Sequence, residues 1–307
     1  GPEGAKLVKE GIKRQFGVDL DVKWAPGPAY GPMAAILNQE RQAGRKASGD
    51  AFAATAVQMA AYVDQGLFRA IDWQKLMPNR VTADLSEAGG RMLRYRTVIP
   101  AILYNTAEAK WAPAIRSFDE VLDPKLKGKF YTTPILAGFD VMLSDEKWGV
   151  AGTTERIRKL ARQVAGLAGC EAVDRVASGE IPALVVECGN GAPNTSRYRG
   201  QNVLASHIIP DMAQKRYNYI SVPSNAEHPN AGILYALYIM TAEGQEKTSW
   251  DFMGSDYHMF EGSRTRKYID DLEKQGAKFV DVTYDWWRSH PEIDKLNESL
   301  MKIIREP

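Results

Sequence analysis

The chain has 307 residues, 39 Lys plus Arg against 38 Asp plus Glu, and 44% apolar residues. A net charge of +1 excludes a general nucleic-acid or anionic-membrane binder, both of which need a basic excess, and the apolar content excludes a disordered chain. The longest apolar run, Ala231 to Met240, is too short to span a bilayer, and the length makes two lobes the natural expectation.

In chain order, residues 5–16 place Leu7, Val8, Ile12 and Phe16 near a 3.6 period and predict an amphipathic helix, closed by Gly17 at a helix-capping position. Val18 to Trp24 alternates apolar and polar residues, as a strand does, and Pro26-Gly27-Pro28 is a loop. A helix from Met33 to Ala43, a strand from Asp50 to Thr55 and a helix from Val57 to Val63 follow. This alternation predicts an open α/β sheet with mostly parallel strands. Thr97 to Tyr104 reads as one apolar strand whose Pro100 suits an edge or a kinked crossing strand. Further on come a short helix from Phe118, a strand Phe130–Thr133, a helix Thr153–Val164, a helix Glu171–Ala177 and a buried strand Ile181–Glu187. Residues 189–202 read as a polar, glycine-rich loop. Strands Val203–Ile209 and Tyr217–Val222 precede a helix-rich tail with helices at Pro229–Met240, Ala242–Phe252, Arg266–Gln275 and Pro291–Arg305.

No nucleophile elbow, P-loop, zincin or kinase signature is present. The four histidines, His207, His228, His258 and His290, lack the i, i+4 spacing of a helical metal site, so no metal or cofactor is expected. The carboxylates Asp140, Asp145, Glu187 and Asp211 fall in loops or at strand ends, and nothing pairs them for acid–base work. Cys170 precedes one helix and Cys188 ends the next strand. The tight turn at Gly179 makes these two elements antiparallel, so both cysteines lie at one end of the unit. A disulfide can span that geometry, and two buried thiols are the alternative. With no signal peptide ahead of the first helix, the sequence is expected to be a cytosolic chain or a mature exported form.

Several phrases carry a resemblance. They are GDAFAATAVQMAAYVDQGLFRAIDW (49–73), IPAILYNT (99–106), SFDEVLDPKLKGKF (117–130), VASGEIPALVVECG (176–189) and VPSNAEHPNAGILYALYIMTAEGQ (222–245). Together they resemble the bacterial extracellular solute-binding proteins of ABC importers, in the family-1 branch of ferric-ion, thiamine and phosphonate binders. The resemblance implies a two-lobed α/β fold of the type II periplasmic-binding-protein kind, with two crossing hinge strands and a helical C-terminal tail. Residues 1–103 and 221–307 would form one lobe and 104–220 the other. It implies a monomer that binds a small solute between the lobes and hands it to ABC permease subunits outside the cytoplasm. It also favours the Cys170–Cys188 disulfide, which an oxidising compartment would preserve.

The positions matching ligand loops of such proteins are Tyr30, Thr55, Thr133, the Gly138-Phe139-Asp140 turn, Asn190 and Tyr217. Arg94 or Arg96 would supply a charge-assisted fork to a carboxylate or phosphonate. Two departures stand out. No apolar strand precedes the first helix, and no adjacent tyrosine pair follows Cys188 as in the ferric-ion binders. A small organic anion is therefore the expected ligand. A ferric ion or iron complex is the alternative, and an α/β transferase or hydrolase is the reading of another class.

Overall fold

The computed structural model describes residues 2–24, 30–198 and 200–306; the predicted loop at 26–28 lies outside them. The elements begin with α1 (Pro2–Phe16), α2 (Tyr30–Gln42), β1 (Phe52–Thr55), α3 (Ala56–Val63), α4 (Trp73–Leu76), β2 (Ser86–Glu87), β3 (Met92–Val98) and β4 (Ala101–Asn105). Next come α5 (Phe118–Val121), β5 (Tyr131–Thr132), α6 (Phe139–Met142), α7 (Gly149–Ala161), β6 (Gly166–Leu167), α8 (Val173–Ala177), β7 (Ala183–Glu187), α9 (Ala192–Tyr198), β8 (Leu204–His207) and β9 (Gln214–Ser221). The tail holds α10 (Pro229–Met240), α11 (Ala242–Gly244), a π-helical stretch Gln245–Asp251, α12 (Arg264–Lys274), β10 (Val280–Val282), α13 (Tyr284–Ser289) and α14 (Ile293–Arg305).

The stripe on α1 buries Val8 and Ile12 completely. Gly11 lets the helix close on α10, because a Cβ there would sit 2.2 Å from the Tyr238 hydroxyl oxygen. Gly17, at φ +69°, ends the helix with its N–H on the Lys13 carbonyl. The strand expected at 18–24 does not form. That segment has no β partner among the described residues, and Asp19 instead turns back to Lys9 and Lys13 of α1 at 3.2 and 3.0 Å. Alternation supplies a pattern, but a strand also needs a neighbour for its backbone groups.

Two five-stranded sheets organise the chain. The first runs β1-β9-β3-β2 with β10 also paired to β9, and the second runs β6-β5-β7-β4-β8. The expected parallel character is corrected. β9 is antiparallel to both β1 and β3, and β4 is antiparallel to both β7 and β8. Among the described residues, parallel pairing is confined to β10–β9, β5–β6 and β5–β7. The helix–strand alternation of the first 66 residues misleads because β1 pairs with β9, a strand that arrives late in the sequence.

The single strand expected at 97–104 is two. β3 belongs to the first sheet and β4 to the second, and the chain breaks between them at Ile99-Pro100, where proline lacks a ladder donor. A second changeover runs from β8 to β9. Ile99, Ile208 and Ala213 near these crossings pack with Ile269 and Leu272 of α12. The expected loop at 189–202 contains α9. Pro193 sits in its first turn, where no backbone N–H is needed, and the Gly191 carbonyl accepts from Asn194 and Thr195.

Cys170 and Cys188 are joined in a disulfide, with Cα atoms 5.9 Å apart and a sequence separation of 18. A closed loop of this size stabilises by about 3 kcal/mol in the chain-entropy picture. Urea unfolding with reductant is therefore expected to show a lower midpoint than without it; coincident curves would remove the bridge from the stability of the second sheet.

Candidate functional site

The polar residues that converge on the crossings come from β3, β9, the end of β7 and the turn after the π-helical stretch. β3 carries a bulge between Arg94 and Arg96. Arg94 stands opposite Tyr219 and Arg96 opposite its neighbour Asn218. Adjacent residues of a strand face opposite ways, so the bulge sends the two arginines to different faces.

Arg96 faces the junction. Its Nε and Nη2 donate to Asn218 Oδ1 at 3.0 and 2.9 Å, and its Nη1 donates to the Met253 carbonyl at 3.0 Å. The loop following β7 meets the same turn. A Cβ on Gly191 would lie 2.6 Å from the Met253 carbonyl oxygen, and Asn194 Nδ2 donates to the Gly254 carbonyl at 2.8 Å. Gly254, at φ +74°, comes so close to Gly191 that neither position accommodates a side chain. Asn190 is 4% exposed, and its two amide atoms have no hydrogen-bond partner among the described residues.

Glu187 ends the all-buried strand β7. Its Oε2 accepts from the Gly189 N–H at 2.8 Å. Burial pushes its carboxyl up to about 7, against the opposing pull of the Gly189 and Cys188 N–H groups and the Arg96 charge. Nearby, Tyr95 is pushed up to about 12 by burial, and its hydroxyl lies 3.8 Å from the Met253 sulfur.

Arg94 faces the other way, into a buried network. Its Nε donates to Glu87 Oε1 at 2.8 Å, and its guanidinium lies over the Tyr217 ring at 4.1 Å. Burial would depress the guanidinium, but the charge and hydrogen bond of Glu87 together with Tyr219 and Tyr257 outweigh it, and the net shift is upward. Tyr217 donates to Asp281 and stacks on His258, whose Nδ1 is 2.8 Å from the Thr97 hydroxyl. Burial holds His258 down at about 4.

The remaining predicted positions scatter. Tyr30 is exposed at the start of α2. Thr55 caps α3, its N–H donating to Gln58 Oε1 at 3.1 Å. Thr133 is buried and accepts from the Ala137 N–H at 3.0 Å. Phe139 is fully buried against Phe118 with ring centroids 5.1 Å apart. Asp140 is held by Arg216 through two contacts of 2.6 and 2.8 Å, and Gly138 leads into that turn at φ +82°.

The structure thus brings Arg96 and the loop that carries Asn190 onto the same Met253–Gly254 turn and leaves Arg94 and Tyr217 in a separate network. Sequence reasoning missed Glu187, Asn194 and Asn218 as members of the site. Glu187 had a signal, being the one charged residue of an otherwise apolar strand; Asn218 had none. Two cavities of about 240 and 370 Å³ lie elsewhere, against Phe260 and Tyr284 respectively, and neither is lined by a predicted site residue.

Glu187 and His258 give opposite pH dependences. Glu187 holds its proton more tightly folded than unfolded, so its contribution is full below the unfolded value and is lost as pH rises from about 4.5 to about 7. His258 resists protonation when folded, so its contribution is full above about 6.5 and is lost as pH falls toward about 4. Each amounts to about 3 kcal/mol over its window, and between pH 4.5 and 6.5 the two nearly cancel. Glu187→Gln is expected to expose a stability that rises with pH over this range, and His258→Asn one that falls. Urea unfolding at four pH values tests this; a Glu187→Gln profile parallel to the parent would refute the assignment.

No family model matches the chain, and no curated protein matches it. Solved structures do. The chain is similar to the PBP AgtB of A. tumefaciens in complex with agropinic acid, at 16% identity and TM-score 0.69, over 99% of this chain and 95% of that one. It is similar to iron-bound HitA of Pseudomonas aeruginosa, at 14% identity and TM-score 0.73, over 97% and 95%. It is also similar to the periplasmic binding protein AfuA of Actinobacillus pleuropneumoniae with fructose-6-phosphate bound, at 15% identity and TM-score 0.74, over 99% and 96%. With two sheets linked by paired crossings, and with these similarities spanning nearly the whole chain, the protein has the two-lobed α/β fold of the periplasmic binding proteins.

Proposed function

We propose that the chain is a solute receptor of an ABC importer, binding a small organic anion where the two lobes meet and delivering it to a permease outside the cytoplasm. The observation that carries this reading is the meeting of Arg96 with the Asn190 loop at the crossings. Among the described residues Arg96 is bonded there only to the neutral oxygens of Asn218 and Met253, and Asn190 keeps a buried amide without partner. A cation held by neutral acceptors suits an anion, and a buried amide with donor and acceptor both unengaged suits a polar ligand group. Two of the similar structures hold agropinic acid and fructose-6-phosphate, which supports the class.

The lobes are proposed as 1–103 with 221–307, and 104–220, moving as a monomer about the crossings. The disulfide fits an oxidising, extracytoplasmic setting. Iron is the weaker reading. Among the described residues no cluster of three His, Cys, Asp or Glu is placed to hold a metal, and the sequence has no adjacent tyrosines.

The test is thermal unfolding against a panel of organic acids, phosphonates, sugar phosphates and ferric salts. A receptor is stabilised by its solute as RT ln(1 + [L]/Kd), about 2.7 kcal/mol at a hundredfold excess over Kd, and leaves it chemically unchanged. Consumption of one compound, with no compound stabilising, would favour an α/β enzyme instead.

A further inference from the structure

We propose that anion binding at this site is proton-coupled through Glu187: an anion seated against Arg96 and the Asn190 amide binds with Glu187 protonated, and draws that proton from solvent. This rests on the reading of the lobe junction as the solute site.

Glu187 is 6% exposed, and its carboxylate closes a turn onto the Gly189 N–H. Gly189, which donates to that carboxylate, lies two residues before Gly191, where a Cβ would be 2.6 Å from the Met253 carbonyl oxygen that Arg96 holds, so carboxylate and guanidinium flank one loop, and the Arg96 charge favours the ionised carboxylate. With Glu187 ionised, the pair is neutral overall and offers an anion no net attraction. With Glu187 protonated, Arg96 stands as an uncompensated cation, and two of the five N–H donors of a guanidinium remain after its three bonds to Asn218 and Met253. An incoming anion adds a second negative charge beside Glu187, which raises its hold on the proton further. The proton goes onto a carboxylate oxygen of Glu187, and its source is water or buffer, so charge balances without another reactant. Since burial already brings Glu187 to about 7, the coupling falls in the neutral range. Asn190, offering one donor group and one acceptor, fits a hydroxyl next to the anionic group, as in a hydroxy acid or a sugar acid.

Sulfate is the probe, because it stays a dianion from pH 5 to 9. Thermal unfolding is followed with sulfate and with chloride of equal ionic strength at pH 5.5, 7 and 8.5, and Arg96→Ala supplies the baseline for nonspecific stabilisation by sulfate. The apparent sulfate affinity is expected to fall roughly tenfold or more from pH 5.5 to 8.5, as the competent protonated fraction falls. In Glu187→Gln it is expected to stay flat at the low-pH value. A second measurement needs no variant: titration calorimetry of sulfate at pH 7 should give enthalpies that differ between Hepes and Tris. A pH-independent response in the parent, equal shifts in Arg96→Ala, or identical enthalpies in both buffers would overturn the coupling. A non-titrating panel solute that stabilises equally at pH 5.5 and 8.5 would overturn it while leaving the receptor reading standing.

Discussion

Replacing Arg94 with methionine is expected to lower the unfolding free energy by about 3–5 kcal/mol, because it leaves a buried carboxylate without its cation. The Arg94 and Glu87 side chains are 10% and 8% exposed. Glu87 Oε1 receives Arg94 Nε at 2.8 Å and the Tyr219 hydroxyl at 3.0 Å, and Oε2 receives the Tyr284 N–H at 2.8 Å. Without Arg94, two neutral donors would have to hold the charge in a site from which water is excluded. Arg94→Lys is expected to recover only part of the loss, since a point charge reproduces neither the fork nor the stacking on Tyr217. The double variant Arg94→Met with Glu87→Leu is the informative one. Apolar replacement of a whole buried pair is often tolerated, so it should unfold at higher urea than either single variant. A single-variant loss under about 1 kcal/mol, or a double loss equal to the sum of the singles, would show that the pair contributes little.

The same arginine shows where sequence reasoning stops. Arg94 and Arg96 are two apart in a strand and were equivalent candidates for an anion fork. Strict alternation puts both on one face, and a one-residue bulge separates them. Bulges leave no reliable trace in composition, so no reading of RYRTV could have ranked the two. The elements that were legible are those whose pattern is local and strong. Val8 and Ile12 mark the buried stripe of α1, the apolar run ending at Glu187 marks a strand buried along its whole length, and Cys170 and Cys188 flank a helix–turn–strand unit short enough to fix their separation. The elements that were not legible depend on partners far along the chain. β10 pairs with β9 across the whole intervening tail of residues 222–279, and the segment at 18–24 alternates correctly but has nothing to pair with among the described residues. α9 was hidden for another reason: Asn, Pro, Thr and Ser favour turns in isolation, and here tertiary packing against the Met253–Gly254 turn outweighs them.

Parting Asp140 from Arg216 is the other change expected to cost about 3–5 kcal/mol, and its consequence reaches beyond stability. Asp140 lies in α6, which the chain forms between β5 and β6 of the second sheet, while Arg216 lies in β9 of the first. The two side chains, 9% and 13% exposed, meet through two nitrogen–oxygen contacts of 2.6 and 2.8 Å. Two residues earlier in β9, Gln214 Nε2 donates to the Gly138 carbonyl at 2.8 Å. Gly138 itself sits against the crossing, where a Cβ would be 3.0 Å from that of Pro100. The turn that sequence resemblance marked as a ligand loop is thus fastened by Gln214 and Arg216 to the strand entering the first sheet. Arg216→Met would leave Asp140 facing Asp294, whose carboxyl is already raised by burial and by the Asp140 charge. Asp140→Asn is expected to cost less, because the amide oxygen still accepts from the guanidinium and removing the charge relieves Asp294. Urea unfolding measures the loss, and hydrogen exchange measures its location. If this pair fixes one sheet on the other, exchange in Arg216→Met should accelerate at residues 138–142 and 214–216 well beyond the global change. Uniform acceleration along the chain would mean that the pair adds stability without fixing the sheets, and that their relative position is set by the Pro100 crossing and the packing beneath α12.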